Sequence, residues 1–410
     1  MATKNLNEDM TTTLIVETSN DTYILGKNTT IVTDGQAAID MGGGANNNNL
    51  ILKGDVTAED TDSVIRAAGG NIHIDVRLGA SVNGLGADVG IVASGLDFSL
   101  DNAGIVFGGL LGLSVDAYAE VVNSGSIFGA QAGLSAAEGL HFTNSGIIGG
   151  DSFAVLADAD GSVIRNLEGG RIIGETTGIS LVNDGTALIV NAGLIKGQTA
   201  ISDGGSDTTV INKGKIDGNV SLGDGDDIFN NRAGKLVGVV DGGDGSDTYI
   251  VGKSATQIAE AADSGLDTVK STVSFTLGDN LEHLTLQGVG DVKGTGNADD
   301  NTITGNAGNN VLSGLDGDDY LIGGKGKDVF IGGAGEDLFD FRKGTGDDVV
   351  NDFVDGEDVI YTPFAADEAD LLANHLTQKN GGVLLSYGND SLFIKGVTLA
   401  ELDENDFFTI

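Results

Sequence analysis

Between Gly296 and Asp340 the chain repeats every nine residues, and no other feature limits so sharply what it can fold into. The units read GNADDNTIT, GNAGNNVLS, GLDGDDYLI, GGKGKDVFI and GGAGEDLFD, five in a row without a gap. Each opens with Gly, four of the five repeat Gly at the fourth place, and the eighth place is always large and apolar: Ile303, Leu312, Leu321, Phe330 and Phe339. The sixth place holds Asn301, Asn310, Asp319, Asp328 and Asp337. Glycines let the backbone turn tightly and aim carbonyls inward, and an eighth residue on a short strand points to a core. Asp at the sixth place supplies the hard oxygen that a hard cation prefers. The plain alternative is a Gly/Asp-rich flexible linker, and an apolar residue held at one place through five units argues against it.

The units resemble the GGxGxDxUx nonapeptide of RTX proteins, a calcium-binding repeat. The resemblance implies a parallel β-roll in which two nonads make one coil, with ions between turns stacked one coil apart. It pairs Asp319 with Asp337, Asn310 with Asp328, and Asn301 with Asp319, each 18 residues apart. It also draws the turn residues Gly314, Asp316, Asp318, Gly323 and Gly332 into the ligand set, with Ca2+ as the cofactor. One pair has two carboxylates and the others one each, which predicts one strong site and two weaker ones, because removing ligand charge lowers calcium affinity.

Upstream, from Asn102 to Gly238, a looser pattern N-x-G-x-(I/V)-x-G recurs as NAGIVFG, NSGSIFG, NSGIIGG, NAGLIKG and NKGKIDG. GGRIIG at Gly169 and AGKLVG at Ala233 read as variants without the aligned Asn. The first Gly of each core falls at 104, 125, 146, 170, 193, 214 and 234, a drifting period of 20 to 24 residues. Such a period without helical spacing predicts a parallel β-helix with one period per coil and three short strands in each. Val106, Ile127, Ile148, Ile172, Ile195, Ile216 and Leu236 are the predicted internal column, and Asn102, Asn123, Asn144, Asn191 and Asn212 a corner ladder of amides. Similar repeats occur in bacterial surface and autotransported proteins. The leucine-rich L-x-x-L-x-L is absent from these coils, residues 102–238.

Calcium-like turns also interrupt the solenoid, LGDGDDIFN at Leu222 and GGDGSDTYI at Gly242, with a degraded one around Asp203 to Asp207. Their sixth-place aspartates are taken as Asp207, Asp227 and Asp247, one coil apart, and a cation between Asp227 and Asp247 is expected. Residues 1–22 read as a polar leader, 23–250 as the β-helix, 251–295 as β-rich connecting coils with a short turn at Glu260 to Asp263, and 296–340 as the β-roll. Residues 341–410 read as a C-terminal cap and secretion signal: two further turns ending in Asp348 and Asp358, one short helix around LLANHL, two alternating strands and an acidic tail. The expected class is all-β.

Composition agrees with turns between short strands, since 67 Gly accompany a single Pro. Formal net charge is -40, so the compact state repels itself without counterions, nucleic acid and anionic membranes are poor partners, and divalent cations are good ones. Cys is absent, which removes disulfides and thiol chemistry. The first residues contain no apolar run of signal-peptide length and no 18-residue apolar span occurs, which alone predicts a cytosolic protein. Calcium sites of millimolar affinity belong outside cells, and the RTX resemblance implies export through a type I secretion channel on an uncleaved C-terminal signal. The expected location is therefore extracellular or at the surface of a Gram-negative bacterium. Expected partners are calcium, the type I machinery, and a second copy of the chain or a cell-surface polysaccharide.

No H-E-x-x-H or G-x-S-x-G occurs, which excludes RTX metalloprotease and lipase chemistry. Polysaccharide lyases and epimerases, which also build on β-helices, are the enzymatic alternative, with Tyr118, His141 and Arg165 about one coil apart as the group that would meet. The preferred reading is a non-enzymatic, secreted, calcium-stabilised β-solenoid of structural or adhesive role, able to assemble through exposed strand edges into a fibre or surface layer. Ice binding would need Thr-x-Thr arrays, which are absent.

Overall fold

A computed structural model describes residues 2–42, 46–205, 207–262, 264–364 and 368–409. Its elements are almost all short parallel strands, the all-β solenoid predicted from the repeats. They form two compact units, Met1–Gly243 and Asp244–Ile410. No helix among the described residues is long and apolar enough to cross a membrane.

In the first unit a coil carries three strands, as in Ala119–Asn123, Ser126–Gly129 and Ala132–Ala136. One coil on they become Leu140–Asn144, Ile147–Gly150 and Phe153–Asp158, parallel and in register. Val106, Ile127, Ile148, Ile172, Ile195 and Ile216 lie side by side in successive coils and are fully buried. Each contributes about 1.5–3 kcal/mol on leaving water. Leu236, expected in the same column, stands beside Ile216 but is only half-buried, on a strand whose other two residues are exposed. The first Gly of each core is required by contact: a Cβ on Gly125 would lie 2.1 Å from the Gly104 carbonyl oxygen, and one on Gly146 2.1 Å from that of Gly125. Coils meet backbone to backbone at this corner.

The amide ladder is longer than the pattern predicts. From Asn102 through Asn123, Asn144, Asn166, Asn191 and Asn212 to Asn231, six hydrogen bonds run from each Nδ2 to the next Oδ1 at 2.8–2.9 Å, and all seven residues are buried. Asn166 and Asn231 are the rungs that the GGRIIG and AGKLVG cores appear in sequence to lack. At Asn166 two extra residues loop out before Gly170, so the Asn keeps its strand register beside Asn144 and Asn191. Each amide is aligned by its neighbours and fixes the register of the coils it joins. Within the stretch expected to be a polar leader, Thr3–Leu6 is a strand paired with Thr22–Leu25, and Leu14 pairs with Ile39.

In the second unit the coil shortens to two strands. Thr302–Thr304, Tyr320–Ile322 and Leu338–Asp340 pair in parallel on one side, and Val311–Asp316 with Val329–Ala334 on the other. Ile303, Leu312, Leu321, Phe330 and Phe339 are fully buried between the two sheets. Past the roll, Asp390–Lys395 pairs in parallel with Asp347–Val350 and antiparallel with Gly382–Tyr387, which places Val383, Leu385, Leu392 and Ile394 in the core. The helix is Glu368–Asn374, and Leu376 already belongs to the strand Leu376–Lys379.

Removing one rung should be felt by the whole first unit. Asn144→Ala strands the Asn123 amide hydrogen and the Asn166 carbonyl, and should destabilise that unit by about 2–4 kcal/mol, read as a lowered thermal midpoint. Glu120→Ala, at an exposed position one coil away, should change stability by less than about 0.5 kcal/mol.

Candidate metal centres

Each sixth-place aspartate of the second unit is folded under its own turn and tied to the coil before it. Oδ1 of Asp319 accepts the Asn301 N–H at 2.8 Å, that of Asp328 accepts the Asn310 N–H at 2.7 Å, and that of Asp337 accepts the Asp319 N–H at 3.1 Å. Asp348 continues the series by accepting the Asp328 N–H at 2.9 Å. The second oxygen behaves differently. In Asp319, Asp328, Asp337 and Asp348, Oδ2 is buried with no hydrogen-bond partner.

The repeat's opening glycine makes room for that oxygen. A Cβ on Gly314 would lie 1.8 Å from Asp319 Oδ2, one on Gly323 2.5 Å from Asp328 Oδ2, and one on Gly332 2.1 Å from Asp337 Oδ2. The second place turns through positive φ, +89° at Gly324 and +118° at Gly333. Leu315 holds the same place at φ 96°, a conformation costly for a residue with a Cβ.

Burial sets the electrostatics. It pushes the Asp319 and Asp328 carboxyls up to about 7, with the charges of Asp337 and Asp348 adding to the respective shifts. Burial likewise raises Asp337 and Asp348 to about 6. A carboxylate with one oxygen taken from water and left unpaired is strongly disfavoured; a proton or a cation relieves it. The donors are all oxygen, which suits a hard divalent cation.

Other predicted ligands are placed differently. Asn301 accepts the Asn297 N–H at 2.7 Å and donates to the Leu281 carbonyl at 3.0 Å, and Asn310 accepts from Asn306 at 2.7 Å and donates to Val292 at 3.1 Å. In these two nonads a backbone N–H closes the turn where the aspartate turns leave an oxygen unpaired. Asp316 and Asp318 are exposed, and Asp318 Oδ1 accepts the Glu336 N–H at 2.7 Å. Asp358 accepts from Asp337 with Oδ1 and from Val354 with Oδ2, so both oxygens are served by backbone.

Asp227 and Asp247 are both buried, the first in the Met1–Gly243 unit and the second in Asp244–Ile410. Asp227 Oδ1 accepts the N–H of Thr208 at 2.6 Å, whereas Asp207 is exposed and accepts from Asp226 at 3.0 Å. Thr208 is therefore the sixth-place residue of that degraded turn, and Asp207 the fifth. Asp267, which no nonad pattern marks, is fully buried, and its Oδ1 accepts the Asp247 N–H at 2.8 Å while its Oδ2 has no partner. Its signal was present: Asp267 follows Asp247 by the same 20-residue step that separates Asp247 from Asp227. Glu282 accepts the Asp267 N–H at 2.8 Å, taking the same part in the next coil.

On the first unit's outer face, Tyr118 Oη lies 2.6 Å from His141 Nδ1. Arg165 stands beside Thr143, two residues along from the Val163 that neighbours His141.

The family model of the RTX calcium-binding nonapeptide repeat, four copies long, matches residues 295–330 and 314–350. Residues 295–350 are RTX calcium-binding repeats. Comparison with curated protein sequences finds no match. Among twelve matching chains of known structure is the extracellular lipase LipA from Serratia marcescens, 16% identical, with a TM-score of 0.26. The alignment covers 60% of this chain and 44% of that one.

The aspartates of the RTX segment fit the calcium that the repeat family binds, because their unpaired oxygens are what a cation would complete. Asp319, Asp328 and Asp337, with Asp348 just beyond the nonads, are the side chains placed to hold it.

Two outcomes follow. Without calcium, these raised carboxyls favour folding when protonated, so their contribution is full below the unfolded value of about 4 and is lost as pH rises through 6–7. In calcium-free buffer the thermal midpoint of the second unit should therefore fall between pH 4.5 and 8, and saturating calcium should flatten that dependence. Gly314→Ala, which pushes a methyl onto Asp319 Oδ2, should weaken calorimetric calcium binding at that turn by at least about tenfold, or ~1.4 kcal/mol.

Proposed function

We propose that the protein is a secreted, calcium-stabilised β-solenoid that serves as a structural or adhesive component outside a Gram-negative cell. The observation that carries this reading is the row of buried aspartate oxygens lacking any partner inside a calcium-binding repeat. A chain with net charge -40 and such a row folds poorly where calcium is scarce and firmly where it is abundant, because an ion that binds only the folded state shifts the equilibrium toward it. That difference suits export of an unfolded chain through a type I channel, guided by a signal within residues 341–410, followed by folding outside. Coil ends with unpaired strand edges are the surface through which copies would join into a fibre or layer.

The Tyr118–His141 hydrogen bond on an exposed sheet face supports a second reading, a polysaccharide lyase or epimerase, in which a tyrosine and a histidine share a proton beside a bound acidic sugar. Cleavage of alginate or pectate that disappears in His141→Ala would establish it.

The calcium reading is tested by far-ultraviolet circular dichroism of the whole protein during calcium titration at pH 7.5. A cooperative gain of β signal on passing from chelator to millimolar calcium is expected. A full β signal in chelator, unchanged by calcium, would contradict it.

A further inference from the structure

Outside the RTX segment, the second unit brings three carboxylates together from separate stretches of chain. Asp247 precedes the strand Thr248–Val251, Glu260 lies in the loop after Gln257–Ile258, and Asp267 precedes Thr268–Ser271. One oxygen from each lies within 4.8 Å of the other two. Asp247 and Asp267 are buried and Glu260 is half-buried. The cluster is built and held. Asp267 Oδ1 is fixed by the Asp247 N–H, its own N–H by Glu282, and the buried Tyr249 hydroxyl donates to Glu260 Oε1.

A second observation points to a ligand. Asp267 has no exposed surface, and its Oδ2 is left without a hydrogen-bond partner. Three carboxylates brought together, one of them with an unpaired, water-excluded oxygen, form an arrangement that a protein completes with a cation. We infer that Asp247, Glu260 and Asp267 form a calcium site separate from the RTX repeats. The donors set the kind of ion: three carboxylate oxygens suit a hard divalent cation, and Ca2+ accepts the irregular geometry of ligands drawn from separate stretches of chain more readily than Mg2+ does. An ion here ties Asp247 and the 257–262 loop to the coil that follows, ahead of the repeats.

The inference rests on calcium being available to the folded protein, as the proposed function requires, but on different residues. The test counts calcium ions bound by the full chain after equilibrium dialysis, at the free concentration that just saturates the wild type. It is paired with terbium luminescence excited through tyrosine, for which the chain has no competing Trp. Glu260→Gln should bind one calcium fewer, with the β signal kept. Tyr249→Phe should keep the full count but lose part of the sensitised terbium emission, so it reports on the site even where a carboxylate variant folds poorly. An unchanged count in Glu260→Gln, or unchanged emission in Tyr249→Phe, would overturn the site while leaving the repeat reading intact. A wild type that binds no calcium would overturn both.

Discussion

A carboxylate oxygen buried with nothing to bond to is the constraint on which the C-terminal half of this protein turns. Each of Asp319, Asp328, Asp337 and Asp348 uses one oxygen to stitch its coil to the coil before, and burial takes the other from water. Desolvating one unpaired polar group costs about 1–3 kcal/mol, and more when it is charged. Four such groups in one unit amount to a sizeable part of the stability of an ordinary domain, about 5–15 kcal/mol. The fold is thus poised: the hydrophobic column of Ile303, Leu312, Leu321, Phe330 and Phe339 pulls it together, and the bare aspartates oppose it until a cation or a proton arrives.

The two units solve the same problem, holding stacked coils in register, by opposite means. In the first, the Asn side chain carries both a donor and an acceptor, so each rung satisfies the next and the ladder runs unbroken from Asn102 to Asn231. In the second, an ionised Asp can only accept, so the rungs at Asp319, Asp328, Asp337 and Asp348 each leave an acceptor over. Asn301 and Asn310 lie between these cases, being sixth-place residues whose amides are completed by the chain. One atom's difference between amide and carboxylate separates a rung that its neighbours complete from one that leaves an oxygen for a cation.

The all-β solenoid was legible in sequence wherever the chain kept strict count. Nine-residue spacing with an invariant eighth place located the roll, and the N-x-G cores located the coils, because a glycine at a backbone-to-backbone contact leaves no choice of residue. Legibility failed where the count slipped. Asn166 was hidden by two looped-out residues, Asn231 by one extra residue before Gly234, and Thr208 by an aspartate beside it that looked the better ligand. Asp267 and Glu282 were missed for another reason: they continue the ladder without the glycine-rich turn that marks a nonad. Burial was also invisible, so exposed Asp316 and Asp318 looked equivalent to Asp319, and half-buried Leu236 equivalent to Ile216.

The most direct measurement is a crystal structure of the full chain grown with calcium, with anomalous scattering collected at long wavelength to place the ions. The account predicts anomalous peaks about 2.3–2.6 Å from Oδ2 of Asp319, Asp328 and Asp337, in the turns opened by Gly314, Gly323 and Gly332. Aspartate oxygens satisfied by protein donors or water, with no peak beside them, would contradict it.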